Sequence, residues 1–157
     1  MEAETLEKVF LYPANIHVSL RPVCIATLLG TCVAVCLWDT RTKIGGMNHY
    51  LLPLWNGEGL ASPKYGNIAI EKLISKMESY GANRRHMVGK IFGGRAQHDT
   101  RISFNIGERN AQIAKQMMSE YGIPVVAENV VGEHGMNIRF DTSTGVVKLK
   151  YIKGNIR

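Results

Sequence analysis

Pro22-Val23-Cys24-Ile25-Ala26-Thr27-Leu28-Leu29-Gly30-Thr31-Cys32-Val33-Ala34-Val35-Cys36-Leu37-Trp38 is a run of seventeen residues without a charge. A membrane-spanning helix needs about 20 apolar residues. This run falls short of that, carries Thr27 and Thr31, and is interrupted by Gly30. Its β-branched residues fit two buried strands meeting near Gly30 better than a helix. Strands over 23–28 and 32–38 are therefore expected, without insertion into a membrane.

Upstream, 9–12 and 17–20 read as short strands. Downstream, 44–51 reads as another, closed by Pro53, which has no ladder donor. Ser62-Pro63 looks like a helix start. Tyr65, Ile68, Ala69, Leu73, Ile74, Met77 and Tyr80 then recur at helical spacing, and Gly81 is a natural stop. A strand over 87–92 runs into Gly93-Gly94. A second helix opens at Asn105, with Glu108 placed for a capping box, buries Ile106, Ile113, Met117 and Tyr121, and stops at Gly122. Strands over 123–127, 136–140 and 146–152 follow, the last two joined as a hairpin at Thr144-Gly145. Strands outnumber helices and most look antiparallel, so the fold class is α+β, or layered α/β in the broad sense.

The chain has 157 residues, the size of one domain. A hydrophobic fraction of 45% and a charged fraction of 20% exclude wholesale disorder. Met1-Glu2-Ala3-Glu4 lacks the basic-then-apolar order of a signal peptide, which makes a cytoplasmic location the expectation. Nineteen Lys and Arg against thirteen Asp and Glu leave +6, which favours an acidic partner without naming one. These charges are dispersed apart from Arg84-Arg85 and Lys148, Lys150, Lys153 and Arg157. A nucleic-acid binder would show lysine and arginine clustered with stacking aromatics, and this dispersal makes nucleic acid an unexpected partner. The late basic residues fit a solvated edge strand that resists aggregation.

Three cysteines, Cys24, Cys32 and Cys36, are an odd count, which argues against a disulfide scaffold. Their spacing does not match the usual zinc knuckles. On one strand, Cys32 and Cys36 would sit about 13 Å apart, at ~3.3 Å per residue. That is too far for a shared ion or a disulfide, and neither a metal nor a cofactor is expected. Cys24 and Cys36 read as small buried hydrophobes. Cys32 differs, because Gly30-Thr31 allows a sharp bend or close backbone approach that would expose its sulfur at the end of a strand.

A reactive cysteine needs a group that takes its proton, usually histidine. The segment 39–43 is polar and turn-like. If residues 39–42 form a four-residue loop, Trp38 pairs with Lys43 and Cys32 lies opposite His49, with Cβ atoms about 5 Å apart. His98, beside Asp99, and His134, beside Gly135, read as solvated surface residues, and His17 and His86 as structural.

These residues resemble one family. Thr27-Leu28-Leu29-Gly30-Thr31-Cys32-Val33-Ala34-Val35-Cys36, followed by Gly45-Gly46-Met47-Asn48-His49-Tyr50-Leu51-Leu52-Pro53, is similar to the CheD family of bacterial chemoreceptor glutamine deamidases. Lys64-Tyr65-Gly66, Gly93-Gly94, Asn105-Ile106-Gly107-Glu108-Arg109-Asn110 and Phe140-Asp141-Thr142-Ser143-Thr144-Gly145 extend the likeness over nearly the whole chain.

The resemblance implies a single domain over 1–157, with a three-layer sandwich shared with bacterial toxin deamidases and a mostly antiparallel sheet. It implies a site of cysteine, histidine and threonine. Cys32 and His49 match directly. The family's usual threonine lies six residues before the cysteine, where this chain has Ala26, and the neighbouring Thr27 would face the opposite side of a regular strand. Arg95-Ala96-Gln97-His98-Asp99 and Gly132-Glu133-His134-Gly135 also depart from the family pattern. By this resemblance the substrate is a receptor glutamine; the mechanism expected here has Cys32 attack it, His49 move the proton, and backbone N–H groups around Thr31 and Cys32 hold the oxyanion. The implied partners are methyl-accepting chemotaxis receptors and a CheC-type phosphatase. The alternative is an adaptor that binds either partner without turnover.

Overall fold

The computed structural model describes residues 6–96 and 105–152; residues 1–4, Gln97, His98, Asp99, Lys153 and Arg157, raised by the sequence, lie outside them. The uncharged run forms two strands, β3 (Val23–Leu29) and β4 (Val33–Asp39), which separate at Gly30 and enter different sheets. β1 (Glu7–Phe10), β2 (Ile16–Ser19) and β5 (Gly45–Asn48) surround them. Next come α1 (Gly66–Ser79), β6 (Met87–Gly93), α2 (Ile106–Tyr121), β7 (Val125–Val130), β8 (Met136–Asp141) and β9 (Val146–Tyr151). The outer sheet has the order β1-β3-β8-β9, and the central sheet has the order β2-β5-β4-β6-β7. Pairing is antiparallel except for β1 with β3 and β6 with β7. The fold is α+β, as the sequence predicted, with its strands divided between two sheets.

Burial shows why the layers form. β4 is covered on both sides: Val33, Val35 and Leu37 join the core under α1 and α2, while Ala34 and Cys36 join the core facing the outer sheet. A strand buried on both faces reads as a continuous apolar run, which is how this one looks in the sequence. β3 covers only one side. Val23, Ile25, Thr27 and Leu29 are buried against the central sheet, and Cys24, Ala26 and Leu28 face outward. Cys24 is accordingly half-exposed on the outer face, correcting its assignment to the core, whereas Cys36 is buried as expected. Each fully buried Ile or Leu, such as Ile74 and Leu73 of α1, contributes about 1.5–3 kcal/mol.

The helix ends differ from one another. α1 begins at Gly66, after a turn in which Tyr65 N–H donates to Ser62 O, so Ser62 is not its cap. α2 begins as predicted, with the Asn105 side chain accepting from Glu108 N–H. Its buried stripe is built from Gly107, Asn110, Ala111, Ala114, Met117 and Met118, with Ile113 and Tyr121 at the margin.

The β4–β5 hairpin corrects the register. Its loop has four residues, but they are 40–43. Asp39 remains in the ladder, its N–H bonded to Ile44 O, and Gly45 rather than Lys43 lies opposite Trp38. The cause is the Asp39 side chain, which accepts from the N–H groups of Arg41, Thr42 and Asn83, while Lys43 takes a left-handed φ of 64°. Burial pushes this carboxyl up, yet those N–H donors together hold it below the usual carboxylate range. The register therefore shifts by two residues. An even shift keeps every side chain on its face.

Candidate active site

Cys32 directly precedes β4 and is half-buried at the margin of the inter-sheet core. Beyond β5 the ladder resumes as a bridge between Val33 and Tyr50. In this register Ala34 lies opposite His49, and Cys32 is one diagonal step away on the same face. Diagonal cross-strand positions are roughly 7–8 Å apart, still within reach of long side chains. The direct Cys32–His49 opposition expected from the sequence is replaced by this diagonal one, with the shared face preserved.

His49 is 3% exposed and points across the layer to the outer sheet. Its Nδ1 lies 2.7 Å from Thr27 Oγ1. The Thr27 hydroxyl donates to Leu11 O at 2.7 Å. Its single proton is thereby used, so it accepts from Nδ1–H, and the lone pair of the ring sits on Nε2. Among the described residues Nε2 is buried without a hydrogen-bond partner. Ala26, at the position where a threonine was expected, faces outward between Phe10 and Arg139. The conflict over the strand face resolves in favour of Thr27, because β3 turns its odd-numbered residues inward.

Both ionisable members rest uncharged. Burial lowers the His49 pKa to about 4. Burial raises that of the Cys32 thiol, opposed in part by its own backbone N–H. The Cys36 thiol is raised further by complete burial. The other described histidines stand apart. His17 pairs with Met47 in the β2–β5 ladder, His86 ends a short 3-10 turn, and His134 is exposed near Tyr151.

The bend that carries Cys32 is held at each carbonyl. Gly30 O accepts from Arg95 N–H at 2.9 Å, and Cys32 O accepts from Gly94 N–H at 2.8 Å. Thr31 O accepts from Asn110 Nδ2 at 3.0 Å. The close approach predicted at Gly30 occurs instead at Gly93. A Cβ on Gly30 would meet nothing within 4 Å, whereas one on Gly93, at φ 104°, would lie 2.3 Å from Cys32 O. Asn110 was not foreseen as part of the site. Its signal in the sequence is a polar residue between Gly107 and Ala111 on the apolar stripe of α2.

A model of the family described as CheD chemotactic sensory transduction matches residues 51–151. That span begins two residues after His49, but relatives align over the whole site. A protein of Sulfurimonas denitrificans, "Probable chemoreceptor glutamine deamidase CheD", is 49% identical over 149 residues, covering 94% of this chain and 96% of that protein. The chain belongs to the CheD family. A second CheD relative, from Trichlorobacter lovleyi and of the same description, is 48% identical over 94% of this chain and 92% of its own. One from Rhodospirillum rubrum is 37% identical over 97% and 86%. Among solved structures, the Bacillus licheniformis hypothetical protein YfiH superposes with a TM-score of 0.51 at 14% identity, covering 74% of this chain and 51% of that one. It supports the fold of the CheD chain and nothing about its chemistry. Among the described residues no helix is long and apolar enough to cross a membrane.

Proposed function

We propose that this protein is a chemoreceptor glutamine deamidase in which Cys32 is the nucleophile, His49 the general base and acid, and Thr27 the residue that orients His49. The observation that carries the reading is the Thr27–His49 hydrogen bond, which leaves a buried, unprotonated Nε2 on the face that Cys32 shares. Family membership and the names of the relatives support the substrate.

The thiol and imidazole start neutral, so proton transfer accompanies attack. Nε2 takes the Cys32 proton as sulfur adds to the carbon of a glutamine carboxamide. The carbonyl electron pair moves onto oxygen, and the resulting oxyanion is held by the Thr31 and Cys32 N–H groups. Collapse expels ammonia, which carries the proton from Nε2, and leaves a thioester. Water then gives a proton to Nε2 and adds to the thioester, and the sulfur leaves and is reprotonated. The sum is glutamine plus water to glutamate plus ammonia, a neutral side chain made anionic. No step calls for a metal or cofactor.

The partner in this reading is the cytoplasmic part of a methyl-accepting receptor, with a CheC-type phosphatase as a second partner. The protein works in the cytoplasm, where free thiols stay reduced. Ala26 lends no support to the adaptor alternative, because residue 27, not 26, bonds His49. The test is ammonia release from a purified receptor signalling domain. The native protein is expected to release it and Cys32→Ala to release none; equal rates would refute the mechanism.

A further inference from the structure

We propose that Asn110 is a positioning residue that aims the Cys32 N–H at the developing oxyanion, a role that rests on the acyl-transfer reading of the Cys32–His49 site. Asn110 is fully buried on α2. Its Nδ2 donates to Thr31 O at 3.0 Å and to Leu51 O at 2.9 Å.

Thr31 O and Cys32 N–H are the two edges of one peptide unit. That unit is planar and trans, so its C=O and N–H point in opposite directions. Drawing the carbonyl toward α2 turns the Cys32 N–H away from the helix layer, toward the side where Cys32 meets the inter-sheet core. That N–H lies beside its own sulfur, which is where the oxygen of a carbon bonded to that sulfur would develop.

The same carboxamide also bonds the segment after the base, which the Val33–Tyr50 bridge and the Leu51 N–H bond to Lys64 O hold without it. Leu51 lies two residues after His49. Between them Tyr50 donates from its hydroxyl to Asn110 O at 2.6 Å and pairs with Val33. One residue of α2 therefore bonds both the segment with the nucleophile and the segment with the base. Two carbonyl acceptors require two N–H donors from one atom, which a primary amide supplies. Burying such a group on an apolar stripe is costly unless it is bonded, and here both Nδ2 protons are, while Oδ1 has no hydrogen-bond partner among the described residues. Gly30 O and Cys32 O are held by backbone N–H groups, so Thr31 O is the carbonyl of the bend that a substitution can release.

The test compares two reactions of Cys32, each read as the rate above that of Cys32→Ala. With 4-nitrophenyl acetate, sulfur adds to the ester carbonyl, an oxyanion forms, and collapse expels 4-nitrophenolate to leave an acetyl thioester. With iodoacetamide, sulfur displaces iodide and no oxyanion forms. Neither reaction needs the receptor. Failure of receptor deamidation would thus count against the proposed substrate and not against Asn110. In Asn110→Leu, acylation is expected to slow by about tenfold or more, while alkylation changes less than about threefold with an unchanged pH profile. Asn110→Ser, smaller and with a single donor, is the second variant should the first not fold, and a lesser loss confined to acylation is expected. Equal slowing of both reactions, unchanged acylation in a folded variant, or no Cys32-dependent acylation by the native protein would overturn the proposal.

Discussion

Thr27 Oγ1 and His49 Nδ1 lie 2.7 Å apart, joining the outer sheet to the central one through a buried hydrogen bond. Because the threonine hydroxyl donates to Leu11 O, the bond has one direction and the imidazole one tautomer. In the proposed site a hydroxyl does what a carboxylate does in many triads. It orients the ring without adding a negative charge to the core, and so leaves the histidine uncharged at rest.

Thr27→Val keeps the volume and deletes the hydroxyl, leaving Nδ1–H and Leu11 O unsatisfied. A loss of about 1–3 kcal/mol in stability is expected, together with a fall of about tenfold or more in turnover as the ring loses its fixed tautomer. Urea unfolding and ammonia release measure the two effects. Adding Ala26→Thr should restore neither, because residue 26 faces outward; rescue would mean that β3 has the opposite facing.

Stability should fall in acid through His49. Its pKa is lowered from about 6.5 when unfolded to about 4 when folded. Between those values the unfolded chain binds more protons. The contribution is therefore complete above about pH 6.5 and lost as pH falls toward 4, by roughly 3 kcal/mol in all. His17 is lowered too, by burial and by Lys76, and acts in the same direction. Urea midpoints between pH 7.5 and 4 should drop more steeply for the native protein than for His49→Gln; parallel curves would sink this account.

Two glycines beside Cys32, the proposed nucleophile, should behave oppositely. Gly30→Ala meets open space and should alter stability and turnover little. Gly93→Ala puts a methyl against Cys32 O at a left-handed φ, where strain alone costs about 1–3 kcal/mol. Loss of turnover should accompany its instability, because the displaced carbonyl belongs to the proposed nucleophile. Thermal melts and ammonia release on the pair provide the check.

The three thiols should separate in an alkylation time course read by mass spectrometry. Cys36 should stay unmodified in the folded protein, being buried with a strongly raised pKa. Cys32 also has a raised pKa, so its labelling should depend on a neighbour that takes its proton. His49→Ala is expected to slow Cys32 labelling about tenfold or more while leaving half-exposed Cys24 unchanged. Equal labelling of Cys32 in both proteins would remove His49 as its base.

The elements and their rough bounds could be read from the sequence because hydrophobic periodicity records them. The pair of strands in the uncharged run, the cap at Asn105 and the hairpin at Gly145 are examples. The hairpin register could not be read, because it depends on Asp39 bonding three N–H groups, one of them from Asn83 far along the chain. Thr27 could have been placed from the alternation of Val23, Ile25, Thr27 and Leu29, an apolar face that includes it; alignment to a neighbouring position obscured this. Asn110 acts across 79 residues of chain, and only its oddity on an apolar stripe hints at it.

β3 is held on one side by β1 and on the other by β8, which ends at Asp141, so the framework of the cross-layer bond to His49 is complete only when most of this chain has been made. Cys32 and His49 are made early, but the sheet that aims the imidazole is completed late. On the proposed function, a nascent or half-folded chain thus carries an ordinary thiol, and Cys32 becomes reactive only as these last layers close.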